Sequence, residues 1–189
     1  MQVIIEAQQT RPMAIEIIEF DNCHQKGVEE LVLPIQQVEF AVRITREEQP
    51  DLMNIENTFQ SGRGNFWVAL YEGVVIGSVG VVDIGNDQVA LKKMFVNRGF
   101  RGKEFGVSNA LMQQVKQWCK ENQIKQILLG TIEPMKAAHR FYEKHGFAEV
   151  GMPELPRTFP LVHVDTKFYK CDLDYGDTEA VSSDTEMTS

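Results

Sequence analysis

Residues 98–109, RGFRGKEFGVSN, set Arg98, Arg101 and Lys103 among three glycines, immediately ahead of a segment with helical periodicity. The strand-like run QVALKKMFV precedes them. A strand–turn–helix junction directs unpaired backbone N–H groups and the positive end of a helix dipole outward, which suits an anion such as phosphate. Two nucleotide motifs fail on spacing. A P-loop needs glycine five residues before its Gly-Lys pair and Ser or Thr after it, and Asn97 and Glu104 hold those places. Gly99, Gly102 and Gly106 do not make a GxGxxG. The unexpected residue is Glu104, a carboxylate inside an anion loop.

The elements that must position this loop follow from periodicity. AIEIIEF alternates as a half-buried strand. From His24 to Arg43, Val28, Leu31, Val32, Ile35, Val38 and Val42 recur at helical steps, with Pro34 placed to kink or divide the helix. A second short helix starts near Pro50 and runs through LMNIENTF. NFWVALY, VVIGSVGVVDI and QVALKKMFV, joined at Glu72-Gly73 and around Gly85, predict an antiparallel meander. A helix is expected from Glu104 to Glu121, with Val107, Leu111, Val115 and Trp118 on one face. KQILLG reads as a strand buried on both faces, and Pro134 to Gly146 as a helix. The strand FAEV, an irregular PELPRTFPL loop and a last strand in VHVDTKFYKCDL follow. The class is mixed α/β (α+β): one domain with a largely antiparallel first half and a βαβ unit in its second. Its expected bounds are 14–172, between an extension, 1–13, and an acidic tail, 173–189. Trp67 and Trp118 are expected in the core, and His24, His139 and His145 in structural or surface roles.

Arg101-Gly102-Lys103-Glu104-Phe105-Gly106 resembles the pyrophosphate loop of the GNAT superfamily, the acetyl-CoA-dependent N-acetyltransferases, written Gln/Arg-x-x-Gly-x-Gly/Ala. It matches at the first and last fixed positions and departs at the third, where Glu104 replaces glycine. KKMFVN is similar to the family's central strand, and GVSNALMQQVKQWC to the helix after it. Downstream, the run from Ala138 through Phe141, Tyr142 and Glu143-Lys144 to Gly146-Phe147 is similar to a second family motif, with Met135 where asparagine is common. The resemblance covers Trp67 to Phe147.

It implies a GNAT-like, mostly antiparallel twisted sheet with splayed central strands and helices on both faces. Acetyl-CoA would be the cosubstrate, its pantetheine arm lying between the strand of Met94, Phe95 and Val96 and the strand of Leu128 and Leu129. A backbone N–H near Phe95 or Val96 would polarise the thioester carbonyl. The pyrophosphate would meet Arg101, Gly102, Lys103, Glu104, Phe105, Gly106 and Val107, with Glu104 offering its N–H and turning its carboxylate into the first helical turn. Ala138 and Phe141 would also contact the cosubstrate. Tyr142 is implied as the general acid that protonates the departing thiolate, after direct attack by the amine in a ternary complex. The base is open among Glu133, His163, Asp165 and a water relay. The acceptor is a primary amine on a small molecule or peptide. Glu47, Glu48 and Asp51 could attract it, and LPRTFP could line its entrance.

Composition narrows the alternatives. With 189 residues, 43% of them hydrophobic, the chain can build one substantial core. Its net charge is −8, and the stretch from Cys171 to Ser189 holds six acids and no base. The near-neutral body argues against a nucleic-acid binder. No run of about 18 apolar residues suggests a membrane span, and the N-terminus lacks signal-peptide features. Cys23, Cys119 and Cys171 show neither a disulfide framework nor metal-ligand spacing, so a reduced cytoplasmic setting and no metal are expected. A homodimer is compatible with the fold. The competing account is a non-catalytic acyl-CoA-binding sensor or regulatory module. Tyr142 favours the enzyme, whereas the unassigned base and the lysines of ALKKMFV leave room for the sensor.

Overall fold

The strand β2 (Asn65–Tyr71) buries five consecutive residues, Asn65 and then the apolar Phe66, Trp67, Val68 and Ala69. Successive residues of a strand face opposite sides of a sheet, so this run requires cover on both. Trp67 and Ala69 enter one core with α4 (Val107–Glu121), which contributes Val107, Leu111, Met112, Val115 and Cys119. Phe66 and Val68 enter another with α1 (Gln25–Pro34) and α3 (Ile55–Phe59). The computed structural model describes residues 14–175; the expected 1–13 extension and residues 176–189 of the acidic tail lie outside them.

The other strands are β1 (Glu16–Glu19), β3 (Val74–Gly85), β4 (Gln88–Val96), β5 (Gln126–Thr131), β6 (Ala148–Val150) and β7 (Lys167–Asp172). They form one seven-stranded sheet in the order β1-β2-β3-β4-β5-β7-β6. Every neighbouring pair is antiparallel except β4 and β5, which α4 connects as a crossover. The β2–β3 turn puts Glu72 at φ 51° and Gly73 at φ 77°, the two left-handed residues a tight hairpin requires. This is the expected mixed fold, with its meander and βαβ unit in place.

Two irregularities in β4 shape the site. Its parallel pairing with β5 covers only Gln88 to Ala90 against Gln126 to Leu128, after which the strands part. Beyond that point the register to β3 slips: Gly80 faces Lys92 and Ser78 faces Phe95, so Lys93 and Met94 together oppose Val79. This is a β-bulge, with Lys93 in the left-handed region at φ 54°. The Ser78 hydroxyl donates to the Lys93 carbonyl at 2.7 Å and holds the bulge from the neighbouring strand.

Several element edges differ from expectation. The first helix stops short of Arg43. Pro34 closes α1, a π-helical turn (Ile35–Glu39) follows, with Phe40 N–H on the Ile35 carbonyl at 3.1 Å, and Ala41 at φ 50° ends it. Proline cannot donate to the helical ladder, and a wider turn absorbs the defect. The second helix divides at Asn54 into α2 (Pro50–Met53) and α3. The left-handed Gly106, at φ 64°, delays α4 to Val107, so Glu104 stands before the helix and not in its first turn. α5 covers Lys136–Lys144. The last strand begins only at Lys167, because residues 162–165 form a turn closed by Asp165 N–H on the Val162 carbonyl at 3.0 Å. Leu173 and Tyr175, assigned to the tail by sequence, are tied to the body: Leu173 N–H bonds the Lys125 carbonyl and the Tyr175 hydroxyl bonds that of Ile124, both at 2.8 Å. Trp118 is only partly buried, its indole N–H on the Arg63 carbonyl at 2.9 Å.

Leu111 is wholly buried between α4 and the sheet. Leu111→Ala is expected to lower the unfolding free energy by about 3 kcal/mol, through lost transfer energy plus the residual cavity. Equilibrium denaturation in urea measures it.

Candidate active site

Where β4 and β5 part, a cavity of about 500 Å³ opens between them. Leu91 to Val96 form one wall, Gly130, Thr131 and Ile132 the opposite one, and α5 closes one end. Along this stretch β4 pairs only with β3, so its other backbone edge faces the wedge. Met94, Phe95, Val96, Arg101 and Gly102 line it, as do Ala138, Phe141 and Tyr142, so these expected site residues share one space. Phe159 and Pro160, from the LPRTFP segment, border it as well.

The remaining loop residues fall outside the lining. Lys103, Glu104 and Phe105 are exposed, and the Val107 side chain is 1% exposed within the α4 core. Any Val107 contribution to a ligand is therefore its backbone N–H. Gly106 gives its N–H to the Gly102 carbonyl at 3.2 Å, which removes it from the expected donor set. The N–H groups of Val107, Ser108 and Asn109 precede the first helical bond, Ala110 N–H to Gly106 O at 3.0 Å, and form the free N–H end of α4. Ser108, absent from the sequence reading, lines the cavity.

Arg101 also differs from expectation. Its Nε donates to the Val96 carbonyl at 2.8 Å, and its two terminal nitrogens form a fork on Glu39, Nη2 to Oε2 at 2.9 Å. Those bonds hold the Glu39 carboxyl below its usual range. Arg101 thus joins the π-helical turn to the loop, and its charge is answered by Glu39. The loop is braced further by ring contacts of Phe100 with Phe105 at 5.4 Å and with Tyr71 at 5.0 Å.

A buried polar cluster lies on the β4 side. Asp51 pairs with Lys92 at 2.6 Å and Lys93 at 3.2 Å. Adjacent side chains on a regular strand point to opposite faces, so the bulge is what lets both lysines reach one carboxylate. Lys93 also donates to Gln49 Oε1 at 2.7 Å, and Gln49 exchanges amide bonds with Gln36 at 3.0 and 3.1 Å. Burial works to raise the Asp51 pKa, but Lys93 and Lys92 outweigh it and hold the carboxyl below its ordinary value. Burial pushes the Lys93 pKa down, with Asp51 opposing. The expectation that Asp51 and Glu48 attract a cationic amine is corrected accordingly: Asp51 is already paired twice, and Glu48 accepts from Thr45 N–H at 2.8 Å.

Tyr142 is 7% exposed, its ring set against Phe147 at 5.6 Å and Tyr169 at 6.1 Å. Burial, with the charge of Asp165, pushes its pKa well above the ordinary tyrosine value, so the phenol stays protonated at neutral pH. Asp165 lines the same cavity. Of the other groups considered as bases, Glu133 is exposed and pairs with Lys136, and His163 is exposed. His139 is buried, with Nε2 against the Ile132 carbonyl at 2.9 Å, and His145 bonds Asn109 at 2.9 Å; both are packing residues. Among the described residues, Asp21, Cys23 and His24 bring ligand-type atoms within 4.8 Å of one another. Asp21 there caps Cys23 N–H at 2.9 Å.

Residues 30–147 match the family model described as acetyltransferase (GNAT) family. The N-acetylaspartate synthetase of Xenopus tropicalis is 38% identical over 106 residues, covering 55% of this chain and 38% of that protein, so the chain spans well under half of that relative. A solved GNAT-family acetyltransferase from Staphylococcus aureus Mu50 is 38% identical with a TM-score of 0.82, over 85% of this chain and 100% of that one. The PaiA N-acetyltransferase of Thermoplasma acidophilum, solved in complex with coenzyme A, shares the fold at 16% identity and a TM-score of 0.66, over 85% of this chain and 100% of that one.

Gly102 at φ 100° and Gly106 at φ 64° are in the left-handed region, and Glu104 is not among the residues with positive φ. An L-residue is strained at the first two positions and comfortable at the third. Gly106→Ala is expected to cost about 1–2 kcal/mol in the loop and to weaken acetyl-CoA binding by roughly tenfold. Glu104→Gly is expected to leave the Kd within about twofold. Isothermal titration of acetyl-CoA into both variants checks the contrast.

Proposed function

The chain belongs to the acetyltransferase (GNAT) family, and we propose that it transfers the acetyl group of acetyl-CoA to the primary amine of a small acceptor that also carries a carboxylate. The observation that supports this most directly is the wedge between β4 and β5, which joins the free N–H end of α4 to a cavity holding Tyr142, Lys92 and Lys93. The free β4 edge would hold the pantetheine arm as an added strand does, and the N–H groups of Val107, Ser108 and Asn109 would meet the pyrophosphate. A backbone N–H of Phe95 or Val96 would polarise the thioester carbonyl, as an oxyanion donor. Acetyl-CoA supplies an activated acyl carbon and a thiolate leaving group.

Tyr142 would give its phenolic proton to that thiolate as the carbon–sulfur bond breaks. The raised pKa keeps the buried phenol protonated at neutral pH, so its O–H is available to the sulfur as negative charge develops there. The acceptor class rests on the lysines: Lys92 and Lys93 share the single carboxylate of Asp51, and each ammonium carries three donors, so N–H groups remain for a second carboxylate. A carboxylate on the acceptor would accept from them. The relative named N-acetylaspartate synthetase agrees with an amino-acid acceptor. The sensor alternative draws no comparable support, because a module that only bound acyl-CoA would need no charged chamber beyond the thioester.

Tyr142→Phe is expected to lower kcat on the order of 100-fold while leaving acetyl-CoA affinity nearly unchanged. Thiol release, followed alongside ligand titration, separates the two quantities. Lys92→Met is expected to raise KM for an amino-acid acceptor by more than about tenfold, as loss of a charged hydrogen bond would. The same variant should change little with an amine of similar length that lacks the carboxylate, and steady-state comparison of the two acceptors reads that difference.

A further inference from the structure

An amine acceptor arrives as an ammonium ion at neutral pH and must lose a proton before it can attack. The groups able to take it are few. Glu133 is exposed and paired with Lys136, His163 is exposed, and Asp51 is held by two lysines. Asp165 differs from all three. It lines the cavity, and among the described residues its carboxylate takes part in no ion pair within 4.0 Å and no side-chain hydrogen bond.

Its seat is built by β5. A Cβ placed on Gly130 would lie 2.3 Å from Asp165 Oδ2 and 2.7 Å from its Cγ, so the carboxylate rests directly over the bare Cα of that glycine. The backbone is pinned on both sides, by Asp165 N–H on the Val162 carbonyl at 3.0 Å and Thr166 N–H on the Thr131 carbonyl at 2.9 Å. The charged and titratable groups around it are Lys92 and Lys93 from β4, Tyr142 from α5 and His163 from its own turn, with Asp51 of α2 behind the lysines.

We propose that Asp165 is the general base of the transfer. Resting on the acetyltransferase reading above, the step runs as follows. The Asp165 carboxylate takes one proton from the acceptor ammonium. The freed nitrogen lone pair forms a bond to the thioester carbonyl carbon, and its electrons pass to the oxygen. As that intermediate collapses, the carbon–sulfur bond breaks, sulfur receives the Tyr142 proton, and the nitrogen's second proton restores the phenol through solvent. The products are the amide, free CoA thiol and one proton, held on Asp165 until it is released. Burial pushes the Asp165 carboxyl up to about 6, against Lys92, the Val162 backbone and Lys93. It is therefore ionised at neutral pH and still basic enough to hold the proton.

The test is kcat/KM for an amino-acid acceptor, measured from about pH 5 to about pH 10 in wild type and in Asp165→Asn. With Asp165 as base the ammonium form binds, and the wild-type value is level from about pH 6 to the amine's own pKa. In Asp165→Asn only the free amine is productive. The variant is expected to lose on the order of 100-fold at pH 7, with the deficit closing about tenfold per pH unit and acetyl-CoA affinity retained. A deficit constant with pH, or none, overturns the assignment. If the variant fails to bind acetyl-CoA because it is misfolded, the wild-type profile decides. A plateau supports the base, and a tenfold rise per unit up to the amine's pKa overturns it. A wild type that acetylates no amine overturns the parent reading instead.

Discussion

Everything in the site depends on one constraint in the backbone: β4 stays beside β5 for three residues and then cannot follow it. The bulge at Lys93 and Met94 bends β4 within its own pairing to β3, and the Ser78 hydroxyl fixes the bulged carbonyl from behind. A strand pair continued to Val96 would place hydrogen bonds where the cavity is, and no ligand could enter the sheet. The divergence exposes an edge of β4 in the middle of the molecule, where it is shielded from the strand additions that threaten an outer edge. The same bulge turns two neighbouring lysines toward one carboxylate. Cleft and charge cluster therefore share a cause.

Within that cleft the two aspartates occupy opposite electrostatic situations. Asp51 gains two cations for its own burial, which keeps it ionised and keeps both ammonium groups in place. Removing one member of such a group leaves an uncompensated buried charge, so the cluster is held together more by the penalty of breaking it than by net attraction. Asp165 is partly buried without an ion-pair partner, and its proton affinity rises instead. Environment alone thus divides two like side chains, one into a fixed counter-ion and one into a group that can exchange a proton.

The features that periodicity controls were legible in the sequence. The buried face of α4 follows from its helical repeat, the meander from apolar strand runs joined at Glu72-Gly73 and Gly85, and the helix bearing Tyr142 from Pro134 and Gly146 at its ends. Glycine and proline punctuation placed the turns but misjudged what lies between them. Pro34 led to a π-helical turn, because the donor lost to proline was compensated by a wider turn that no repeat encodes, and the chain breaks at Asn54. At the site, residues linked by motif were found together. Residues linked only in space, such as Glu39 with Arg101 or Asp51 with the lysines, were not, since separations of 62 and about 40 positions leave no mark on a pattern. The bulge was invisible for the same reason: it reverses the alternation on which strand reading relies.

The loop that closes the open end of the wedge shows why a motif can lose a defining residue and keep its purpose. Arg101, the charged member of that motif, faces Glu39 and the Val96 carbonyl, so its contribution is to hold the loop's shape. In the proposed function, anion recognition would then be left to backbone N–H groups at the start of α4, whose directions are set by φ and ψ and are independent of side-chain identity. What such a site demands is a chain that can turn left-handed at Gly102 and Gly106. Position 104 sits between them with no such demand, and a glutamate there can extend into solvent without altering a single donor. Its charge is a modest, screened repulsion at the mouth; the glycines on either side are the part that geometry does not allow to vary.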